Sequence, residues 1–255
     1  MLFSDSHCHL QTLTTKALDQ QIEMVKERNI ELLLNASFDI TSSEHAVQIA
    51  QKYSVVKACI GHHPYAADTY PNTGYAQLKR LVANPEVVAI SEVGLDYVGR
   101  RNSAGEYVYE YVDKRIQWHV FQDQLQLAKE AEVPVFIHDR IPGQEMLDIL
   151  EKMENVETGV AIHGFTKDLA YAQRCVDLGI YLSIGLRGVL AQENNTLGEA
   201  IQYVPLEWLV TETDSNRPDQ VVQVVQKIAE WRDLSVKEVG KITTRNLHSL
   251  ISRTS

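Results

Sequence analysis

Near its start the chain reads Asp5-Ser6-His7-Cys8-His9. In an extended strand, residues two apart share a face, so His7 and His9 can aim two imidazoles at one point while Cys8 faces away. Such a pair at the end of an early strand suits a divalent cation, the bland alternative being two structural or solvated histidines. Further metal-competent side chains follow apolar runs as closely. Glu92 follows Val87–Ser91, His138 follows Pro134–Ile137, His163 follows Gly159–Ile162, and Asp214 lies just beyond Trp208–Thr211. A carboxylate closing an apolar run is costly to bury without a cation beside it. Four histidines and two carboxylates exceed what one tetrahedral ion needs. They suit two divalent ions sharing Glu92 as a bridge, with Mg, Mn, Zn or Ni as candidates since no thiolate joins the set. Two ions about 3.5–4 Å apart can clamp the attacking and leaving oxygens of a phosphoryl displacement.

These six residues can meet only if the ends of distant strands converge. Eight short β-branched runs are present: Phe3–Ser6, Glu31–Ala36, Val55–Ile60, Val87–Ser91, Pro134–Ile137, Gly159–Ile162, Ile180–Ile184 and Trp208–Thr211. Helical patterns lie between them, at Lys16–Arg28, Arg115–Ala131, Gly143–Met153, Leu169–Leu178 and Pro218–Arg232, with a further one at Glu193–Tyr203. In the first, Leu18, Ile22 and Val25 make one apolar stripe. Thr41-x-x-Glu44 reads as a capping box opening a helix to Lys52, and Ser235-x-x-Glu238 as the cap of a last helix. Alternating strands and helices imply parallel pairing with crossovers. Eight units without a linker or internal repeat predict an α/β fold, a closed (β/α)8 TIM-like barrel forming one domain over residues 1–255. The alternative is a doubly wound open sheet, but no GxGxxG follows the first strand. In a barrel all strand C-termini open on one face, so His7, His9, Glu92, His138, His163 and Asp214 would converge there.

The ordered motifs resemble the TatD family of metal-dependent deoxyribonucleases, within the amidohydrolase-like barrels. The resemblance rests on Asp5-Ser6-His7-Cys8-His9-Leu10, Gly61-His62-His63-Pro64 and Ser91-Glu92-Val93-Gly94-Leu95-Asp96-Tyr97. It continues through Gln117, Phe121, Gln124, Leu125, Leu127 and Ala128 on one helix, then Ile137-His138 and His163-Gly164-Phe165. Glu212-Thr213-Asp214 and Thr244-Arg245-Asn246-Leu247 complete it. It implies a TIM-like barrel that hydrolyses phosphodiesters with metal-activated water, often as a 3′→5′ exonuclease on DNA. In that pattern His7, His9, Glu92 and Asp214 hold one ion, and Glu92, His138 and His163 the other. Asp214 would also take the proton of the attacking water as general base. His63 and Arg140 are candidate substrate contacts, with turn shaping and surface ion pairing as their ordinary alternatives. His62 is read as solvent-facing. The pattern departs from the family's commonest form at Asp139, Gly164 and Ser215-Asn216-Arg217-Pro218, all on the pocket rim. A longer segment, Val98–Lys114, carries Arg100, Arg101, Tyr107, Tyr109 and Tyr111. These could hold phosphate and stack bases, but a surface loop with a tyrosine stripe is the preferred reading.

The formal net charge of −10, from 24 Lys+Arg against 34 Asp+Glu, argues against broad electrostatic affinity for nucleic acid. It leaves room for a nuclease whose positive charge comes from bound ions. No apolar run is long enough to span a membrane, and the N-terminus lacks a secretory pattern. Three sparse cysteines, Cys8, Cys59 and Cys175, fit a reduced, cytoplasmic protein, and a monomer is the default expectation. The expected substrate is DNA, single-stranded or at 3′ ends. Competing readings are a metal-dependent ester or amide hydrolase, such as a D-aminoacyl-tRNA deacylase, a small phosphoesterase, or an idle barrel used for binding.

Overall fold

A computed structural model of the chain describes residues 3–101, 107–152, 158–191 and 195–252. All eight predicted strands form: β1 (Phe3–Cys8), β2 (Ile30–Ala36), β3 (Val56–Ile60), β4 (Val87–Asp96), β7 (Val135–Arg140), β8 (Val160–Ile162), β9 (Ile180–Gly185) and β10 (Leu209–Glu212). They pair in parallel in that order, with registers such as Leu33 opposite Val56 and Ile90 opposite Val135. A two-stranded antiparallel ribbon, β5 (Arg100–Arg101) and β6 (Tyr107–Tyr109), lies inside the segment read as a surface loop. Residues 102–106 of that segment fall outside the described residues, as do Glu193 and Met153 at the predicted helix ends.

The barrel closes between its first and last strands. The Thr211 hydroxyl donates to the Ser4 carbonyl at 3.0 Å, the Asp214 N–H to the His7 carbonyl at 2.9 Å, and the His9 N–H to the Ser215 carbonyl at 2.9 Å. The helices are α1 (Thr15–Glu27), α2 (Ile40–Lys52), α3 (Gly74–Val82), α4 (Lys114–Ala131), α5 (Glu145–Lys152), α6 (Leu169–Asp177), α7 (Leu186–Leu190), α8 (Asn195–Tyr203), α9 (Val221–Arg232) and α10 (Val236–Ile251). Helices α3 and α7 were not anticipated. The cap of α2 corrects the sequence reading: Asp39, not Thr41, is the N-cap, accepting from the Ser42 N–H at 2.7 Å while Ser42 Oγ accepts from the Asp39 N–H at 2.9 Å. Ser235 caps α10 as expected.

Strand alternation divides the apolar residues into two cores. Leu33, Val135, Ile137, Val160 and Ile162 face outward onto the helices. Leu32, Leu34, Cys59, Ala89, Phe136, Ala161 and Val210 form a separate cluster in the barrel interior. Leu247 and Leu250 of α10 belong to that inner cluster, and Asn246 donates to the Leu206 and Leu209 carbonyls at the start of β10. The C-terminal helix thus plugs the bottom, leaving the strands' C-terminal ends as the mouth.

Candidate metal centre

The strand ends bring all six predicted residues together. Glu92 is the hub. Its Oε1 lies 2.8 Å from His138 Nδ1, 2.8 Å from His163 Nε2 and 3.1 Å from His63 Nε2. Its Oε2 lies 3.4 Å from His7 Nε2 and 4.0 Å from His9 Nε2. Each carboxylate oxygen therefore serves a different group of imidazoles. Asp214 stands 3.1 Å from His9 Nε2 and 3.9 Å from His7 Nε2, with its side chain 44% exposed at the mouth. Three groups have ligand atoms close enough to share an ion: His7/His163/Asp214, His7/His9/Glu92 and His63/Glu92/His138.

Local backbone sets this up. Strand β4 continues through Gly94 to Asp96, five residues past its predicted end. At Gly94, with φ +147°, any Cβ would fall 2.1 Å from the His138 carbonyl oxygen, so glycine lets β4 lie against β7. Asp214 sits in the left-handed region at φ +49°, which turns its carboxylate back over β1. Asp5 accepts from the N–H groups of His7 and Thr213 and from the Thr213 hydroxyl, tying the HxH turn to β10.

The outer ring nitrogens decide what the inner ones offer. His9 Nδ1 faces the Ala36 carbonyl at 2.9 Å, which can only accept, so neutral His9 carries its proton there and turns a bare Nε2 inward. His138 Nε2 faces Asp96 at 3.4 Å and His163 Nδ1 faces Glu212 at 3.2 Å, so each of these rings has a carboxylate at both nitrogens, with Glu92 at the inner one. His63 is the reverse. Its Nδ1 accepts the Tyr65 N–H at 2.9 Å, so neutral His63 holds its proton on Nε2, the atom beside Glu92. Burial pushes its pKa down to about 4, against the pull of the Glu92 charge, so it is neutral near pH 7. His63 is thus a donor to the centre, and four histidines remain as ligands in waiting.

Charges elsewhere follow from the hub. Burial opposes ionisation of Glu92, but the surrounding imidazoles outweigh it and hold its carboxyl well below the usual range. Burial likewise opposes protonation of His163 and His138. Glu92 and Glu212 nevertheless raise the first well above an ordinary histidine, and Asp96 and Glu92 raise the second. Desolvation would raise Asp214, but the His9 hydrogen bond and the His163 and His7 charges bring it down to about 2.

Arg140, the other predicted substrate contact, is 41% exposed and 3.6 Å from Asp96 at the rim. His62 is not solvent-facing; it is buried, with Nε2 2.7 Å from the Ala66 carbonyl. Gln124 grips its backbone, accepting its N–H and donating to its carbonyl. Asp96 and Glu212, buried partners of His138 and His163, were not singled out from the sequence. Each lies an even number of residues from a predicted ligand, Glu92 or Asp214, a signal that was available.

A protein-family profile described as TatD related DNase matches residues 4–252. An uncharacterized metal-dependent hydrolase, YabD of Bacillus subtilis, is 31% identical, covering 98% of this chain and 98% of that protein. A 3′-5′ ssDNA/RNA exonuclease TatD of Salmonella typhimurium is 28% identical over 86% of both chains. The crystal structure of YjjV, a TatD homologue from Escherichia coli K12, superposes with a TM-score of 0.86 at 23% identity, over 98% of this chain and 97% of that one. The last likeness speaks for the barrel alone.

Proposed function

We propose, because this chain belongs to the TatD related DNase family of metal-dependent hydrolases, that it removes nucleotides from the 3′ ends of single-stranded DNA by hydrolysing phosphodiester bonds. The observation that carries this reading is the division of Glu92 between two groups of imidazoles, one at each carboxylate oxygen. His7, His9, Glu92 and Asp214 would hold one divalent ion, and Glu92, His138 and His163 a second. The residues fit such ions on independent grounds: His7 Nε2 is buried with no hydrogen-bond partner, 3.4 Å from a carboxylate. Buried polar atoms without partners are rare and call for an occupant. Bound there, divalent ions supply Lewis-acid charge to a phosphoryl group and make water acidic near neutral pH.

The chain's own groups do the rest. Asp214, ionised and half exposed at the mouth, accepts the proton of the attacking water. His63 donates from Nε2 to a non-bridging phosphoryl oxygen, its orientation fixed by the Tyr65 N–H. Arg140 offers a planar cation to the next phosphate along the chain. Tyr65, 36% exposed, packs against His63 at 4.3 Å between ring centroids and against Phe38 at 6.4 Å. This aromatic edge favours an unpaired base over a duplex, in keeping with a single-stranded substrate. Three free, buried thiols support a reducing, cytoplasmic setting. The reading takes the protein as a monomer, with residues 1–255 forming one unit. Among the described residues no helix is long and apolar enough to cross a membrane.

The test is incubation of the purified protein with Mn²⁺ and a 5′-labelled single-stranded oligonucleotide. A ladder shortening from the 3′ end is expected, with Asp214→Asn reducing the rate at least 100-fold, at about the scale of a lost general base. Faster turnover of an ester or amide panel than of DNA would overturn it.

A further inference from the structure

The proposal concerns a group that lies beneath the ligands. Glu212 ends β10 and is fully buried. A buried carboxylate survives only where its oxygens are supplied with hydrogens. Here the Gly164 N–H donates to Oε1 at 2.8 Å, and His163 Nδ1 lies 3.2 Å from the same oxygen. The Ser183 hydroxyl donates to Oε2. Ser183 Oγ is in turn 2.7 Å from Ser6 Oγ on β1. The space for the carboxylate is made by the backbone. A Cβ at Gly185 would come within 3.2 Å of Glu212 Oε1, and Gly164 takes a left-handed φ of +57° as it brings its N–H round to that atom.

We infer that Glu212 is a positioning residue that fixes the proton of His163 on Nδ1 and so holds its Nε2 lone pair toward the centre. A carboxylate has no hydrogen to give, and the Gly164 N–H and the Ser183 hydroxyl donate to it as well, so the hydrogen between it and His163 belongs to Nδ1. Ser183, with its hydroxyl proton committed to Glu212, ties the pair to β9, so the ring is locked in both tautomer and tilt. His163 also stacks on His7 at 4.0 Å between centroids, and its tilt therefore bears on both groups of ligands. Loss of such a partner beneath a ligating histidine typically weakens metal affinity by about 10–100-fold.

This inference rests on the metal-centre reading, and the experiment separates the two. Zn²⁺ is titrated by calorimetry into wild type, Glu212→Ala, Glu212→Gln and His163→Ala, with folding followed by circular dichroism. The ¹⁵N-histidine spectrum of the Zn²⁺-loaded wild type is recorded in parallel, with His163 assigned by its absence in His163→Ala. The expected results are a retained Nδ1–H on His163, a 10–100-fold weaker Zn²⁺ affinity in Glu212→Ala, and substantial rescue by Glu212→Gln, whose carbonyl can still accept. Adding Glu212→Ala to His163→Ala should change the affinity no further. A proton found on Nε2, an unweakened Glu212→Ala, or an equal loss in the His163→Ala background overturns the inference. The spectrum decides the matter even if Glu212→Ala fails to fold. Absence of Zn²⁺ binding by the wild type would instead overturn the metal-centre reading, and the inference with it.

Discussion

Replacing Glu92 by Gln keeps the side chain's size and removes the charge that faces five imidazoles. If its two oxygens serve two ions, this one change should release both, whereas His138→Ala should release one. The size of the effect follows from linkage. An ion held at a free concentration 100 times its dissociation constant stabilises the folded chain by about 2.7 kcal/mol. A chain of 255 residues has an unfolding entropy of about 0.5 kcal/mol per degree at its midpoint, at about 2.1 cal/mol/K per residue. Each ion therefore raises the midpoint by about 5 °C, and two by about 10 °C. Scanning calorimetry of wild type, Glu92→Gln and His138→Ala, each with Mn²⁺ and with a chelator, reads these shifts, and metal analysis of the same samples reads the stoichiometry. The chelator-sensitive shift should be full in wild type, roughly halved in His138→Ala and absent in Glu92→Gln. Equal losses in the two variants, or an undiminished shift in Glu92→Gln, would refute the bridging role.

Other consequences are as open to measurement. In the metal-free protein His138 and His163 hold protons above the usual histidine range, so an entering cation must displace them. Adding Zn²⁺ to a weakly buffered solution at pH 7 should release protons, and affinity should rise with pH across the range where these histidines deprotonate; a pH-stat showing no release would contradict this. Phe38→Ala or Tyr65→Ala should raise KM for an oligonucleotide about tenfold with little change in kcat, at about the worth of one stacked base. The effect should vanish on a substrate abasic at the terminal nucleotide. Asn246→Ala removes both side-chain hydrogen bonds under β10, leaving the Leu206 carbonyl with the Leu209 N–H alone. It should cost about 1–3 kcal/mol in chemical denaturation without altering metal content.

The barrel and its six convergent residues were legible because both depend on short-range pattern. A β-run followed at once by a histidine or carboxylate places that side chain at a strand end. What escaped depended on contacts between distant residues. His62 looked like a polar extra in its motif, but Gln124, on another element, draws its backbone into the interior. The predicted fourth run ended at Ser91, yet β4 continues through Gly94, where β7 passes too close for any side chain. Two overlapping cap patterns, Asp39/Ser42 and Thr41/Glu44, preceded α2, and only the path of the incoming chain selects the first. Helix α3 opens within Pro71-Asn72-Thr73-Gly74, residues that advertise a turn and mask the Leu78 and Val82 stripe behind them.

The seam between β1 and β10 bears on how this protein comes into being. His7 and Asp214 stand on opposite sides of it, joined through the backbone by the bond from one ligand candidate to the carbonyl of the other. If these residues hold a cation as proposed, a nascent chain presents His7 and His9 first and Asp214 only 205 residues after His9. Under that reading, a copy terminated before Asp214 lacks one of the proposed ligands.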